Sequence, residues 1–400
     1  MNQSPLPARV AALDGLRGVA AFVVIISHVI AGFFPALYFG AEGKPGLEIQ
    51  NAIAGSPVFV LYSGTFAVYV FFVLSGFVIA ASATRTKCRL PVLAVSRYLR
   101  LAVPVAASVF FAFALNRLLP GAAQRAGSLI GHWWLNFLYQ PPGPSFRSAL
   151  REVSYGVFWN GLSYFNNVLW TMRIELAGSV GVYALYLIVG RRFRIPVLAI
   201  AALWLAFGTS DWPSNMLGFT LGALLFEARE HGVLPLNGLA GAALMVMGIF
   251  LGGQPFAPLQ GTLYAPIALT ARVSPILSTP RTLGAAALLT GVLSWKRSQS
   301  FLDARLPQFL GRISFALYLV HFPLLCFGLS ELYVHFGQHG PVLMALSIAC
   351  YIVASIGVAY CFTLWIDEPT VRILGGARKA WGAWPALGLG QRLRGIHRQL

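Results

Sequence analysis

Long apolar stretches recur along the whole chain, and they constrain its fold more than any other feature of the sequence. Hydrophobic residues make up 57% of the 400 residues and charged residues only 10%, whereas a soluble globular chain carries about 25% charged residues. So small a polar fraction cannot cover a core of this size with a surface compatible with water. The sequence therefore predicts a polytopic membrane protein and excludes a soluble multidomain enzyme.

Ten apolar segments are long enough, or nearly long enough, to cross a bilayer as helices. They fall at about residues 13–34, 62–83, 97–119, 172–190, 195–209, 214–230, 236–252, 281–294, 312–331 and 341–366. The segments 195–209 and 281–294 are the shortest. We therefore predict an all-α fold, a transmembrane helical bundle of about ten spans.

Basic residues in the loops indicate the orientation, because the cytoplasmic loops of membrane proteins are enriched in Lys and Arg. With ten spans and the N-terminus inside, most loop Arg and Lys residues fall in the inner segments. Both termini are therefore predicted to be cytoplasmic. The resulting division is a cytoplasmic N-terminus at residues 1–12, a transmembrane domain at 13–366 and a basic cytoplasmic tail at 367–400, with Pro369 ending the last span.

The net charge of +17 raises the question of nucleic acid as a partner. A basic segment next to a membrane usually lies on anionic lipid, so we predict the bilayer as the partner and no nucleic acid. The four cysteines, at positions 88, 326, 350 and 361, lack the spacing of a zinc site, so no metal is predicted. The long outer segments 120–171 and 253–280 are predicted to form lids or short lateral helices.

The first span carries three ionisable residues, which are costly in lipid and therefore suspects for function. Arg17 and His28 are eleven residues apart, almost three helical turns, so they share one face of the helix. Asp14 lies close to the same stripe. Structural roles are the alternative: a helix cap for Asp14, a mark of the inner interface for Arg17 and an interhelical hydrogen bond for His28.

Spans two and three add small and basic residues. Span two contains the run FFVLSGF at Phe71–Phe77, in which Ser75 and its neighbouring glycine favour close helix packing. Arg97 and Arg100 lie one turn apart at the predicted inner edge of span three, where they form a basic face. The positive-inside rule alone would also explain these arginines.

Spans four and nine contribute further ionisable residues. Glu175 lies about one turn inside the predicted outer boundary of span four, on a different side of the helix from Arg173. His321 is predicted near the middle of span nine, with Pro323 placed to bend that helix. A role in packing is the alternative for His321.

Taken in order, these motifs resemble those of the acyltransferase-3 family of integral membrane acyltransferases. The resemblance extends from residue 13 to about 372. It is carried by LDGLRGVAAFVVIISH at Leu13–His28, the FFVLSGF run, Arg97 with Arg100, Leu169-Trp170 with Glu175, GRISFALYLVHFPL at Gly311–Leu324 and the closing Glu368-Pro369. The stretch TMRIELAGSV around Glu175 departs from the family pattern, which suggests a distinct acceptor subgroup.

The resemblance implies transfer of an acyl group, expected to be acetyl, from acyl-coenzyme A to a hydroxyl group. The acceptor would be a sugar, a polysaccharide, a lipid-linked glycan or a secondary metabolite, at the bacterial inner membrane. The donor is a substrate that arrives from the cytoplasm, and no bound cofactor is expected.

The resemblance also implies roles for individual residues. His28 would be the general base, with a covalent acyl-histidine as the variant left open, and Glu175 would position the acceptor or orient the imidazole. Donor phosphates would be bound by Arg17, Arg97 and Arg100. The expected supporting residues are Asp14, Ser75, His321 and Glu368.

Two other classes of function remain open from the residues themselves. A proton-coupled transporter could use His28, Glu175 and His321 as a relay, although the sequence shows no inverted repeat of the kind common in transporters. A lipid-presenting scaffold is the third hypothesis, and it would not require ionisable residues aligned in the first span. Consumption of a thioester distinguishes the enzyme from both.

Overall fold

Helices account for all the regular structure in the described part of the chain. The computed structural model describes residues 11–40, 46–86, 88–139, 145–161, 163–208, 210–255, 262–270 and 278–383. Its principal helices are α1 (Ala11–Phe33), α2 (Gly64–Ala83), α3 (Leu90–Leu118), α4 (Trp170–Ile188), α5 (Arg194–Ala206), α6 (Asp211–Glu230), α7 (Gly238–Gly252), α8 (Ser278–Ser294), α9 (Arg305–Pro323), α10 (Pro341–Phe362) and α11 (Glu368–Ala383). The predicted helical fold class is confirmed for these residues, and each predicted span overlaps one of α1–α10.

Five of the described helices are long and apolar enough to cross a membrane. They are α1, α2, α3, α9 extended to His335, and α10 extended to Arg378. Helix α7 is apolar but has only 15 residues, and α5 has only 13. The 13 residues of α5 span about 20 Å at 1.5 Å per residue. The number of ten crossings and the cytoplasmic location of both termini therefore stay predictions.

Helices α1 and α9 run parallel and touch through their backbones. A Cβ atom on Gly18 would lie 2.3 Å from the main-chain nitrogen of Gly311, and a Cβ atom on Gly311 would lie 2.3 Å from the carbonyl oxygen of Asp14. Only residues without a side chain allow so close an approach. The contact places the C-terminal halves of the two helices side by side, which is where His28 and His321 lie.

Helix α2 packs against α6 in the same manner. A Cβ atom on Gly76 would lie 2.1 Å from the carbonyl oxygen of Phe219, and one on Gly222 would lie 2.0 Å from that of Val73. The close packing predicted from the FFVLSGF run is therefore confirmed. Ser75, the residue before Gly76, is left on another side of the helix.

The predicted start of the third span at residue 97 is wrong. Helix α3 begins at Leu90, with Pro91 in its first turn, where the missing N–H of proline has no cost. At 1.5 Å per residue, Arg97 and Arg100 lie about 10 Å and 15 Å along the helix from Leu90. The two arginines therefore lie two to three turns along α3 and not at its first residue.

The predicted end of the last span at Pro369 is also wrong. A wide, π-helical turn at Thr363–Asp367 joins α10 to α11, and Pro369 is the second residue of α11. Because proline is tolerated in the first turn of a helical segment, the chain continues as a helix. The continuous helix Pro341–Arg378 has 38 residues, about 57 Å in length, whereas the hydrocarbon core is about 30 Å thick.

The segment 120–171 forms short helices in its described residues, as predicted. They are Ala122–Ile130, Trp133–Asn136 and Phe146–Arg151, followed by a wide helical segment at Glu152–Asn160. In the segment 253–280, residues 256–261 and 271–277 lie outside the described part, and Ala265–Thr270 is helical.

Two buried side chains hold the segment 120–171 in place, Glu152 by bonds within the segment and Asn166 by bonds to the bundle. Glu152 accepts hydrogen bonds from the hydroxyl of Ser163 and from the N–H of Tyr164, the latter at 2.9 Å. Burial raises the pKa of the Glu152 carboxyl above its ordinary value, while these hydrogen bonds lower it in part. The Asn166 amide donates to Ser108 Oγ of α3 at 3.1 Å and to the Leu319 carbonyl of α9 at 2.7 Å. Asn166 thus attaches the segment to α3 and α9.

Candidate active site

A cavity of about 150 Å³, lined by both polar and apolar side chains, lies among α1, α2, α3, α4 and α9. We call it the arginine cavity. The polar side chains that line it are Arg17, Ser75, Arg97, Arg100, Thr171, Glu175, Ser314 and Tyr318. Five residues singled out from the sequence therefore come together, although they are up to 158 positions apart in the chain.

Glu175 lies at the centre of a set of hydrogen bonds in this cavity. Its carboxylate pairs with the Arg97 guanidinium and accepts a hydrogen bond from Ser75 Oγ at 2.7 Å. Arg97 Nε also donates to Ser179 Oγ, one turn further along α4, at 2.9 Å. The predicted separation of Glu175 from the arginines is therefore wrong. The early start of α3 carries Arg97 far enough along that helix to meet it.

Arg100 has a different acidic partner. Both of its terminal nitrogens donate to Asp367, the second at 3.2 Å, and its guanidinium lies 5.2 Å from the centre of the Phe315 ring. Asp367 is not among the residues singled out from the sequence. Its signal is that it is an acid directly at the end of the last apolar segment, where an ionisable residue needs a partner.

Arg17 is the least engaged arginine of the cavity. Its nearest carboxylate in the described part of the chain is that of Asp14, at 3.8 Å and one turn away on α1. The side chain is 34% exposed, more than that of Arg97 or Arg100. Of the three cavity arginines, Arg17 is therefore the most available to an anionic ligand.

His28 and His321 form a pair in the C-terminal halves of α1 and α9. The Nδ1 atom of His28 lies 3.1 Å from the Nε2 atom of His321, and the ring centres are 5.1 Å apart. Each ring also places Nδ1 at 3.0 Å from a carbonyl oxygen one turn earlier in its helix, that of Val24 or Leu317. The sequence identified both residues but gave no reason to expect their contact.

These contacts assign the protons of the neutral pair. A carbonyl oxygen can only accept, so both Nδ1 atoms carry a hydrogen. His321 Nε2 then has a lone pair and accepts from His28 Nδ1–H. The remaining ring nitrogen, His28 Nε2, is left with a free lone pair, which is the form that a general base requires.

The two histidines of the pair differ in how far they are exposed. His321 is completely buried, and the Tyr351 hydroxyl donates to its carbonyl at 3.1 Å. His28 is only partly buried, with the Trp134 ring stacked 5.9 Å from it and the Phe322 ring edge-on at 5.2 Å. A substrate can therefore reach His28 but not His321.

Tyr318 lies between the histidine pair and the arginine cavity. It lines the cavity, and its ring centre is 5.9 Å from that of His321. Its hydroxyl donates to the Val168 carbonyl at 3.0 Å and lies 3.0 Å from Thr171 Oγ1. The arginines and the histidines thus belong to neighbouring parts of one site, and the Tyr318 side chain lies between them.

Glu368 is placed apart from the other predicted site residues. Its carboxylate pairs with Arg312 at 2.8 Å and with Arg372 at 3.7 Å, in an exposed position. It therefore joins α9 to α11 and does not line the arginine cavity. In the described part of the chain, no group of three or more His, Cys, Asp and Glu residues is placed to hold a metal ion.

Long apolar helices that enclose arginines, a carboxylate and a histidine pair define a multi-pass membrane protein with a polar site inside its helical bundle. The family model described as an acyltransferase domain, that of the acyltransferase-3 family, matches residues 10–364. The chain belongs to this family and is a membrane acyltransferase. No curated protein and no solved structure matches the chain.

Proposed function

We propose that the protein is an O-acyltransferase that moves an acyl group, most simply acetyl, from acyl-coenzyme A to a hydroxyl group. The acceptor would be a sugar, a polysaccharide, a lipid-linked glycan or a secondary metabolite at the bacterial inner membrane. The observation that carries this proposal is the orientation of the histidine pair, which leaves a lone pair on the accessible His28 Nε2.

In this mechanism His28 acts as the general base. Its Nε2 atom takes the proton of the acceptor hydroxyl as the oxygen attacks the thioester carbonyl carbon. Collapse of the tetrahedral intermediate breaks the carbon–sulfur bond, and the imidazolium returns the proton to the departing thiolate. His321 supports the step, because its Nε2 accepts from His28 Nδ1–H and stabilises the positive charge that develops. Attack by His28 Nε2 itself, through an acyl-histidine, is the variant of the same chemistry.

The arginine cavity suits the phosphate groups of the donor. Guanidinium groups bind phosphate through paired hydrogen bonds, and Arg17, Arg97 and Arg100 all line the cavity. Arg17 has only a loose acidic contact, so it is the first candidate for a donor phosphate. The acyl arm would extend outward along α1, because His28 lies about 16 Å further along the helix than Arg17.

The contacts of Glu175 support a role in positioning. Its described hydrogen-bond partners are Ser75 and Arg97, so it holds the Arg97 guanidinium in the wall of the cavity. These contacts also weigh against the transporter hypothesis, because Glu175 makes no described hydrogen bond to either histidine. A relay through the three residues would therefore be interrupted at Tyr318, and family membership favours the acyltransferase.

Replacement of His28 tests the proposal. In inside-out membrane vesicles that contain the native acceptor, His28→Ala should lower release of free coenzyme A from acetyl-coenzyme A by about 100-fold or more. His335→Ala is the matched control, since His335 is an exposed histidine whose only described ion pair is with Glu331. His28→Ala with near-normal turnover would exclude the mechanism, and wild-type vesicles that do not consume the thioester would exclude the proposed donor.

A further inference from the structure

Helix α11 belongs to the folded bundle, although the sequence predicted a tail beyond residue 366. Leu374 is buried, and the Cys88 thiol, just before α3, donates to the carbonyl of Arg378 at 3.8 Å. The helix therefore lies along the first turns of α3. The family match ends at residue 364, so this helix is outside the matched region.

A second cavity, of about 250 Å³, lies between α11, the first turns of α3 and the C-terminal half of α4. We call it the inner cavity. It is lined by Leu93, Ser96, Arg97, Arg100, Tyr183, Val371, Leu374, Gly375 and Arg378. Arg97 and Arg100 line the arginine cavity as well. The two cavities are therefore neighbours, and these two guanidinium groups form the wall they share.

The charges of the inner cavity do not balance. Arg97 is paired with Glu175, and Arg100 with Asp367. Arg378 is the exception, because within the described ranges its side chain has neither an ion pair nor a hydrogen bond. A partly buried guanidinium without an acidic partner favours binding of an anion. The inner cavity therefore offers one available positive charge.

The rest of the lining is suited to a flat ring. Leu93, Val371 and Leu374 are apolar, Tyr183 contributes an aromatic ring, and Gly375 presents bare backbone. An apolar and aromatic surface beside a single guanidinium matches a base and a phosphate on one ligand, which is the chemistry of a phosphorylated nucleoside.

We propose that the inner cavity is the nucleotide subsite for the acyl donor and that Arg378 binds the 3′-phosphate of its ribose. The inference rests on the proposed function, since it assigns the nucleotide end of the same coenzyme A. The base packs on Leu93 and Leu374, the diphosphate extends from the wall formed by Arg97 and Arg100 to Arg17, and the acyl arm continues through the arginine cavity. Arg378 is then a donor-binding residue at the far end of the ligand from the thioester.

The test compares donors that differ only at the predicted contact. Full-length protein in lipid nanodiscs is assayed with acetyl-coenzyme A and with acetyl-dephospho-coenzyme A, which lacks the 3′-phosphate. Arg378→Gln should raise KM for acetyl-coenzyme A about tenfold or more, as expected for loss of a charge-assisted hydrogen bond, and leave kcat unchanged. KM for the dephosphorylated donor should be the same in both proteins. Arg378→Lys should lie between them.

Arg372→Gln is the matched control, because Arg372 is an exposed arginine of the same helix, paired with Glu368. An equal KM increase in that variant would mean that Arg378 contributes only to the surface charge and would overturn the inference. An equal effect of Arg378→Gln on both donors, or none, would overturn it as well. An effect confined to protein stability in nanodiscs with anionic lipid would assign Arg378 to a lipid headgroup and would also overturn it.

A binding measurement separates this inference from the proposed reaction. Adenosine 3′,5′-bisphosphate is the probe, and its affinity for the wild-type protein is measured by calorimetry without any turnover. Binding that weakens about tenfold in Arg378→Gln supports the subsite even if no acyl transfer is detected. Absence of binding to the wild-type protein, together with normal consumption of acetyl-coenzyme A, would refute the subsite and leave the proposed function standing.

Discussion

His321 offers the sharpest test of the site, because its proposed effect passes entirely through one hydrogen bond. His321→Leu removes the acceptor for His28 Nδ1–H but leaves the Val24 carbonyl in place. The bond is already present in the neutral pair, where it is worth about 0.5–1.5 kcal/mol, and it becomes charge-assisted, worth about 1.5–3 kcal/mol, when His28 takes up the proton in the transition state. Only the difference, about 1–1.5 kcal/mol, lowers the barrier. At 1.36 kcal/mol per factor of ten, kcat should therefore fall by about 5- to 13-fold, less than in His28→Ala.

The assay is coenzyme A release with saturating donor, in which KM for the donor should stay constant. His321→Gln keeps an amide oxygen that can accept from Nδ1–H, so it should recover part of the loss. The double variant His28→Ala with His321→Leu should be no slower than His28→Ala alone, because His321 acts through His28. Additive losses, or unchanged kcat in a correctly folded His321→Leu protein, would refute the reasoning.

Two further predictions concern stability and topology. Because burial raises the pKa of Glu152, the folded state holds that proton more tightly than the unfolded state, and its contribution to stability is lost as pH rises from about 4.5 through the raised pKa. Thermal unfolding across this range should show a weaker pH dependence in Glu152→Gln; an unchanged slope would exclude Glu152 as the cause. Cysteines introduced at Ser128 and Gln299 should be labelled from outside and inside respectively, and labelling from one side would mean an error in the number of crossings between them.

Much of the site followed from periodicity along single helices. The stripe of Arg17 and His28 depends only on the helical repeat of α1, and that repeat is set by local hydrogen bonding. The grouping of Arg97 with Arg100 is equally local. Apolar periodicity locates a helical segment more reliably than it locates the ends of that segment. The two groupings are therefore less affected by the seven-residue error in the predicted start of α3.

Contacts between residues of different helices could not be predicted from this periodicity. The pairing of Glu175 with Arg97 depends on how far two antiparallel helices overlap, and this depth changes with each helix end. The contact of His28 with His321 depends on the offset between α1 and α9, which is determined by backbone contact at small residues. Trp134, in the segment 120–171, stacks on His28. No periodic pattern in the sequence predicts that this segment contacts α1.

The glycine contact between α1 and α9 also limits how the protein can move. Because backbone meets backbone at Gly18 and Gly311, neither helix can slide or rotate past the other without a collision, and the two form a single rigid body. The distance between His28 and His321 is therefore kept constant when other helices of the bundle shift. Trp134, which stacks on His28, belongs to a different segment, so substitutions there can alter access to His28 without changing the geometry of the histidine pair.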